Sequence, residues 1–159
     1  MKPRVYVETS VISYLTARPS RDFLVVARQA FTRQWWEIRS ERFDAVISGM
    51  VISEISRGDP SAALRRAQMC DGLESLVVDD KAIALAEQLI QLKAIPEQEP
   101  EDAMHIAVAV LNNIQFIASW NFSHLVGPEA KFRLQTQLKD LGYPVPLLAT
   151  PEELLEVLR

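Results

Sequence analysis

The sequence predicts an α/β fold with a mostly parallel sheet covered by helices. Three observations lead there. Short β-branched and aromatic runs recur along the 159 residues, each followed by a stretch with helical spacing. Strands that alternate with helices need crossover connections, which place helices over a parallel sheet. The composition, 48% hydrophobic and 24% charged, is that of a globular chain long enough to bury a core without disulfides or structural metal.

Val5-Tyr6-Val7, bounded by Pro3 and by Thr9-Ser10, reads as a short buried strand. A helix is expected over residues 10–15 and is broken by Arg18-Pro19-Ser20. Residues 22–39 place Leu24, Ala27, Phe31, Trp35 and Ile38 at i, i+3/i+4 spacing, which predicts a long amphipathic helix. Asp44-Ala45-Val46-Ile47 is the second strand. From Gly49 a helix carries Glu54 and ends at Arg57-Gly58-Asp59-Pro60, where Pro60 starts another helix to about residue 71. The third strand is expected over 73–78, with Leu76-Val77-Val78 its solid part.

Asp79 or Asp80 can cap a helix to about Lys93, with Ile83, Ala86, Leu89 and Ile90 on one face. Residues 95–100 form a loop, and Pro100 starts a helix over 101–111. Glu101 and Asp102 then lie in its first turn, where carboxylates interact well with the helix dipole. Gln115-Phe116-Ile117-Ala118 is a fourth strand, followed by a helix over 128–141 that ends at Gly142-Tyr143-Pro144. Val145-Pro146-Leu147-Leu148 could form a short last strand. Thr150-Pro151-Glu152-Glu153 has the form of a capped helix start. With no repeat, low-complexity segment or linker, one domain over 1–159 is expected.

Net charge −4 and a pI near 5.2 argue against a protein that grips nucleic acid by bulk charge, though not against a nuclease with an acidic metal site. No apolar run reaches the roughly 18 residues of a membrane span. The N-terminus lacks the form of a secretory signal. Cys70 is the only cysteine, so neither an intrachain disulfide nor a zinc-binding cysteine cluster is expected. These features fit a cytoplasmic protein.

Four polar residues stand just after or within apolar runs: Glu8, Glu54, Asp102 and Asn121. Carboxylates so close to buried segments are costly unless compensated, and a hard cation is one compensation. In an open α/β sheet, ligands collect at the carboxyl ends of strands, so four residues from distant places could meet in one crevice. Mg²⁺ and Mn²⁺ prefer such oxygen ligands, and the pattern points to metal-assisted attack on a phosphodiester. Thr9 and Ser10, beside Glu8, could bond its carboxylate or a phosphate. Taken singly, each of the four also reads as an ordinary element-end residue; Glu54, for instance, could simply pair with Arg57 at i+3.

The segments Val5-Tyr6-Val7-Glu8-Thr9-Ser10-Val11-Ile12, Ile52-Ser53-Glu54-Ile55, Glu101-Asp102-Ala103-Met104-His105-Ile106-Ala107 and Ala118-Ser119-Trp120-Asn121-Phe122-Ser123-His124-Leu125 resemble the PIN-domain family, and within it the VapC-type toxins of bacterial toxin–antitoxin pairs. The resemblance implies a three-layer α/β/α sandwich with about five strands. It implies a Mg²⁺- or Mn²⁺-dependent endoribonuclease acting on RNA, a homodimer, and a cognate antitoxin that blocks the site. Glu8, Glu54 and Asp102 take the three acidic places and Asn121 the fourth. The family usually has aspartate at the first and fourth places, so Glu8 keeps a charge and Asn121 loses one.

That loss defines the alternative, a weakly active or inactive PIN module that binds RNA or a protein. A different phosphate-handling α/β enzyme, such as a phosphatase, is disfavoured, since no Gly-rich P-loop is present and no Asp-x-Asp follows the first strand, and a plain scaffold leaves the ordered motifs unexplained. His105, three residues after Asp102, could contact substrate or metal, or be a packed histidine; His124 has the same two readings. Arg18, Arg21 and Arg57 could guide RNA. Trp35 is expected in the core. Trp36 is either an exposed partner surface or a boundary core position. Trp120 either stacks on a base or lines the sheet end. Cys70 is expected to be a small buried hydrophobe.

Overall fold

The computed structural model describes residues 1–157. Its sheet contains β1 (Arg4–Val7), β2 (Asp44–Ser48), β3 (Glu74–Leu76), β4 (Phe116–Ala118) and β5 (Leu147–Ala149), all parallel, in the order β3-β2-β1-β4-β5. The helices are α1 (Thr9–Thr16), α2 (Phe23–Arg42), α3 (Gly49–Ile55), α4 (Pro60–Met69), α5 (Asp80–Gln91), α6 (Pro100–Leu111), α7 (Pro128–Asp140) and α8 (Pro151–Leu155), with a π-helical turn at Phe122–Val126.

The strand order explains the three layers. From β1 the chain steps outward to β2 and β3, then returns to the other side of β1 for β4 and β5. Right-handed crossovers stepping in opposite directions put their helices on opposite faces. α1 to α4 therefore cover one face and α5 to α7 the other. The reversal falls between β1 and β4, which opens a crevice at their carboxyl ends.

Most strands and helices fall where the sequence places them, and the differences have physical causes. The third strand is Glu74–Leu76, not a run centred on Leu76-Val77-Val78, and Val77 is exposed. Its partner sets the limit: Ser48 pairs with Leu76, and the next residue of that chain already enters α3. On α5 the buried stripe is Ala82, Leu85, Ala86 and Leu89, while Ile83 faces outward. On α2 the buried residues are Gln29, Thr32, Trp35 and Trp36, whereas Leu24 is exposed. A 20-residue helix is ~30 Å long and overruns five-residue strands of ~17 Å, so its first turns pass beyond the sheet.

Trp35 is in the core as expected, and Trp36 is the boundary core position rather than an exposed surface. It is 7% exposed, with the Arg39 guanidinium 3.5 Å from its ring centroid. Trp120 lines the sheet end: it is buried and its indole N–H donates to Thr32 Oγ1 at 2.8 Å. Cys70 is half-buried, and its thiol pKa is pushed up to about 11, first by burial and then by Asp71. No helix of the described residues is long and apolar enough to cross a membrane.

Candidate active site

Glu8 directly follows β1, and its backbone N–H still bonds Ala118 O of β4 at 3.0 Å, so the carboxylate stands at the switch point. It is 5% exposed. Three donors converge on one oxygen, Oε2: the Ser10 N–H at 3.1 Å, the Ser119 hydroxyl at 2.7 Å and the Ser10 hydroxyl in a short bond. The same serines hold the far wall, since Ser10 Oγ accepts the Trp120 N–H at 2.8 Å and Ser119 Oγ accepts the Asn121 N–H at 2.9 Å. Placing all three donors on Oε2 leaves Oε1 outside this network.

Glu54 reaches in from the last turn of α3 and ion-pairs with His105 Nε2 of α6. One oxygen each of Glu8 and Glu54 and one ring nitrogen of His105 lie within 4.8 Å of one another. Arg57 does not pair with Glu54; it bonds Glu101 at 2.6 and 3.3 Å, tying the end of α3 to the start of α6 and holding the Glu101 carboxyl below its ordinary pKa. Arg18 and Arg21 are exposed.

Asp102 is 8% exposed in the first turn of α6. Burial, and then the charge of Glu8, push its carboxyl up to about 6 against the N–H that Asn121 Nδ2 donates to its Oδ2 at 3.1 Å. Asp102 also groups with Glu99 and His124, each offering a ligand atom within 4.8 Å of the others. Asn121 Oδ1 accepts the His124 N–H at 3.1 Å, which starts the π-helical turn. That turn closes where Gly127 N–H meets Phe122 O at 3.1 Å; a Cβ on Gly127 would lie 2.1 Å from that carbonyl oxygen, so only glycine fits.

Of the sequence-derived residues, Glu8 and Glu54 fall with His105 in one possible ligand cluster, whereas Asp102, bonded to Asn121, falls with Glu99 and His124 in another. Thr9 lies next to Glu8 with its hydroxyl buried and without a hydrogen-bond partner among the described residues. His105 is fully buried beneath the crevice. Burial alone would lower its pKa, but the Glu54 contact and the charges of Glu8, Glu54 and Asp102 outweigh that and raise it. Sequence reasoning missed Ser119, Ser48 and the Tyr6 hydroxyl. Ser48 carried a signal, because a serine before the first helical residue is a common cap; nothing local marked the other two.

The donor chemistry fits a hard divalent cation. Glu8 and Glu54 offer oxygens to one cluster with His105, and Asp102, its carboxyl raised first by burial and then by the charge of Glu8, lies near them.

A family model for the PIN domain matches residues 5–121. No curated protein sequence matches the chain. Among solved structures, VapBC2 from Rickettsia felis bound to a DNA fragment from their promoter aligns with TM-score 0.58 and 12% identity, over 92% of this chain and 97% of that one. VapC20 of Mycobacterium tuberculosis, a sarcin-ricin loop cleaving toxin, aligns with TM-score 0.53 and 19% identity, over 75% of this chain and 91% of that one.

Proposed function

Because the chain belongs to the PIN-domain family, we propose that it is a metal-dependent endoribonuclease, the toxin of a type II toxin–antitoxin pair. The observation that carries this reading is the convergence of Glu8, Glu54 and Asp102, from β1, α3 and α6, on the crevice beside β4.

Glu8, Glu54 and Asp102 would hold Mg²⁺ or Mn²⁺. Such an ion, when bound, neutralises phosphate charge and makes a nucleophile of water at neutral pH. The protein's own part is positioning. Ser10 and Ser119 fix the Glu8 carboxylate, His105 fixes Glu54, and Asn121 fixes Asp102. The Thr9 hydroxyl is buried and His105 lies beneath the crevice, so both act from below the surface.

The cognate antitoxin and a homodimer belong to the same proposal, as does a cytoplasmic setting. The fold shared with VapBC2 supports a protein partner. Phe23, Leu24 and Phe132 are exposed, as partner surfaces would require.

A second reading, a binding module without activity, is favoured by Asn121, since both halves of its amide are already committed to Asp102 and to the His124 N–H. Cleavage of a mixed RNA pool with Mn²⁺ separates the two. We expect cleavage that EDTA abolishes and that Asp102→Asn lacks. Cleavage by that variant would sink the site assignment, and no saturable Mn²⁺ binding by calorimetry would favour the binding module.

A further inference from the structure

We propose that the buried hydroxyl of Tyr6, together with Ser48 and His105, is a positioning device that sets the spacing of the three carboxylates; this rests on the metal-nuclease reading above. The Tyr6 hydroxyl lies 2.7 Å from Ser48 Oγ and 2.5 Å from His105 Nδ1, and all three residues are fully buried.

Each partner belongs to a different acid-bearing element. Tyr6 is two residues before Glu8, which continues the extended backbone just past β1, so both side chains take one side of the sheet. Ser48 caps α3, the helix of Glu54, by accepting the Met50 N–H at 3.2 Å. His105 is one turn after Asp102 on α6. Its other nitrogen, Nε2, meets Glu54 Oε1. The contact is a close approach of an ion pair and not an aligned hydrogen bond, since neither atom has a hydrogen-bond partner among the described residues. This engages Oε1 and leaves Oε2 of Glu54 for an ion.

The network joins partners 42 and 99 residues apart in sequence. Movement of β1, α3 or α6 would strand a buried polar group without its partner. Buried as they are, none of the three reaches substrate. Their effect passes through Glu54 and the backbone positions of the other acids, as the outer partners of metal ligands commonly act.

The test compares Tyr6→Phe, His105→Gln and His105→Leu with the parent, reading Mn²⁺ affinity by calorimetry without RNA, melting temperature, and kcat and KM for RNA cleavage. Phenylalanine keeps the ring, and glutamine can still present an N–H to Glu54. We expect Mn²⁺ affinity to fall about 10- to 100-fold in His105→Leu, less in Tyr6→Phe, and to be partly restored in His105→Gln. The loss should appear in kcat with KM little changed. A lower melting temperature with parent-like Mn²⁺ affinity would show the network to be structural and overturn the proposal. If the leucine variant does not fold, the other two decide by the same criterion. A parent that binds no Mn²⁺ overturns the nuclease reading itself, and this proposal with it.

Discussion

Asn121 donates its side-chain N–H to Asp102 across 3.1 Å. The amide thus partly offsets the burial, and after it the charge of Glu8, that push the Asp102 carboxyl up to about 6. Exchanging the donor for a second carboxylate would put two like charges in contact.

Asn121→Asp should therefore destabilise the metal-free protein by on the order of 1–3 kcal/mol, roughly 3–8 °C for a chain of this size. Mn²⁺ should recover the loss. Thermal melts with and without Mn²⁺ check this, and an unchanged metal-free melt would show that the contact contributes nothing.

Asp102→Asn should stop cleavage and yet stabilise the metal-free protein at pH 7. The folded carboxyl titrates near 6, above its ordinary 3.8, so between those values the native state binds more protons than the unfolded chain. Asp102 consequently costs stability as pH rises through that window, and the full cost is present at pH 7. The variant's gain, on the order of 1–2 kcal/mol after solvent screening, should vanish near pH 4. Urea titrations at both pH values measure it. By the same protonation, Mn²⁺ binding by the parent should weaken as pH falls below about 6.

Ser119→Ala removes the acceptor of the Asn121 N–H and one donor to Glu8. Cleavage should drop about tenfold, with a stability loss of roughly 1–2 kcal/mol. Steady-state kinetics beside a urea melt would show both, and full activity would remove Ser119 from the site.

Gly127→Ala tests the π-helical turn. The new methyl would meet the Phe122 carbonyl oxygen at 2.1 Å, and backbone must move to admit it. A loss of about 1–3 kcal/mol or more is expected, with reduced cleavage because the turn starts at the Asn121 cap. A parent-like melt would mean that the turn yields freely.

Much of the architecture was legible because the elements announce themselves locally. Val5-Tyr6-Val7 and Phe116-Ile117-Ala118 are short apolar runs beside turn or helix-start residues, and Pro60, Pro100, Pro128 and Pro151 open helices where Pro is favoured. The acids were legible by resemblance, as short motifs in a fixed order. What local pattern could not reveal depends on partners far along the chain. The end of β3 is set by where β2 stops, and the exposure of Leu24 by how far α2 overruns the sheet. The placing of His105 depends on a hydroxyl 99 residues away. The π-helical turn left only Gly127-Pro128 as a trace, which resembles any helix start.

β1 lies at the centre of the sheet, but one of its two neighbours is made 110 residues later. A ribosome that has released the first 100 residues has delivered Glu8 and Glu54, yet neither Asp102 nor the strand against which Glu8 is set. The nascent chain therefore carries no crevice for most of its synthesis. The crevice is completed only when β4, made long after β1, pairs with it and closes the sheet around its first strand.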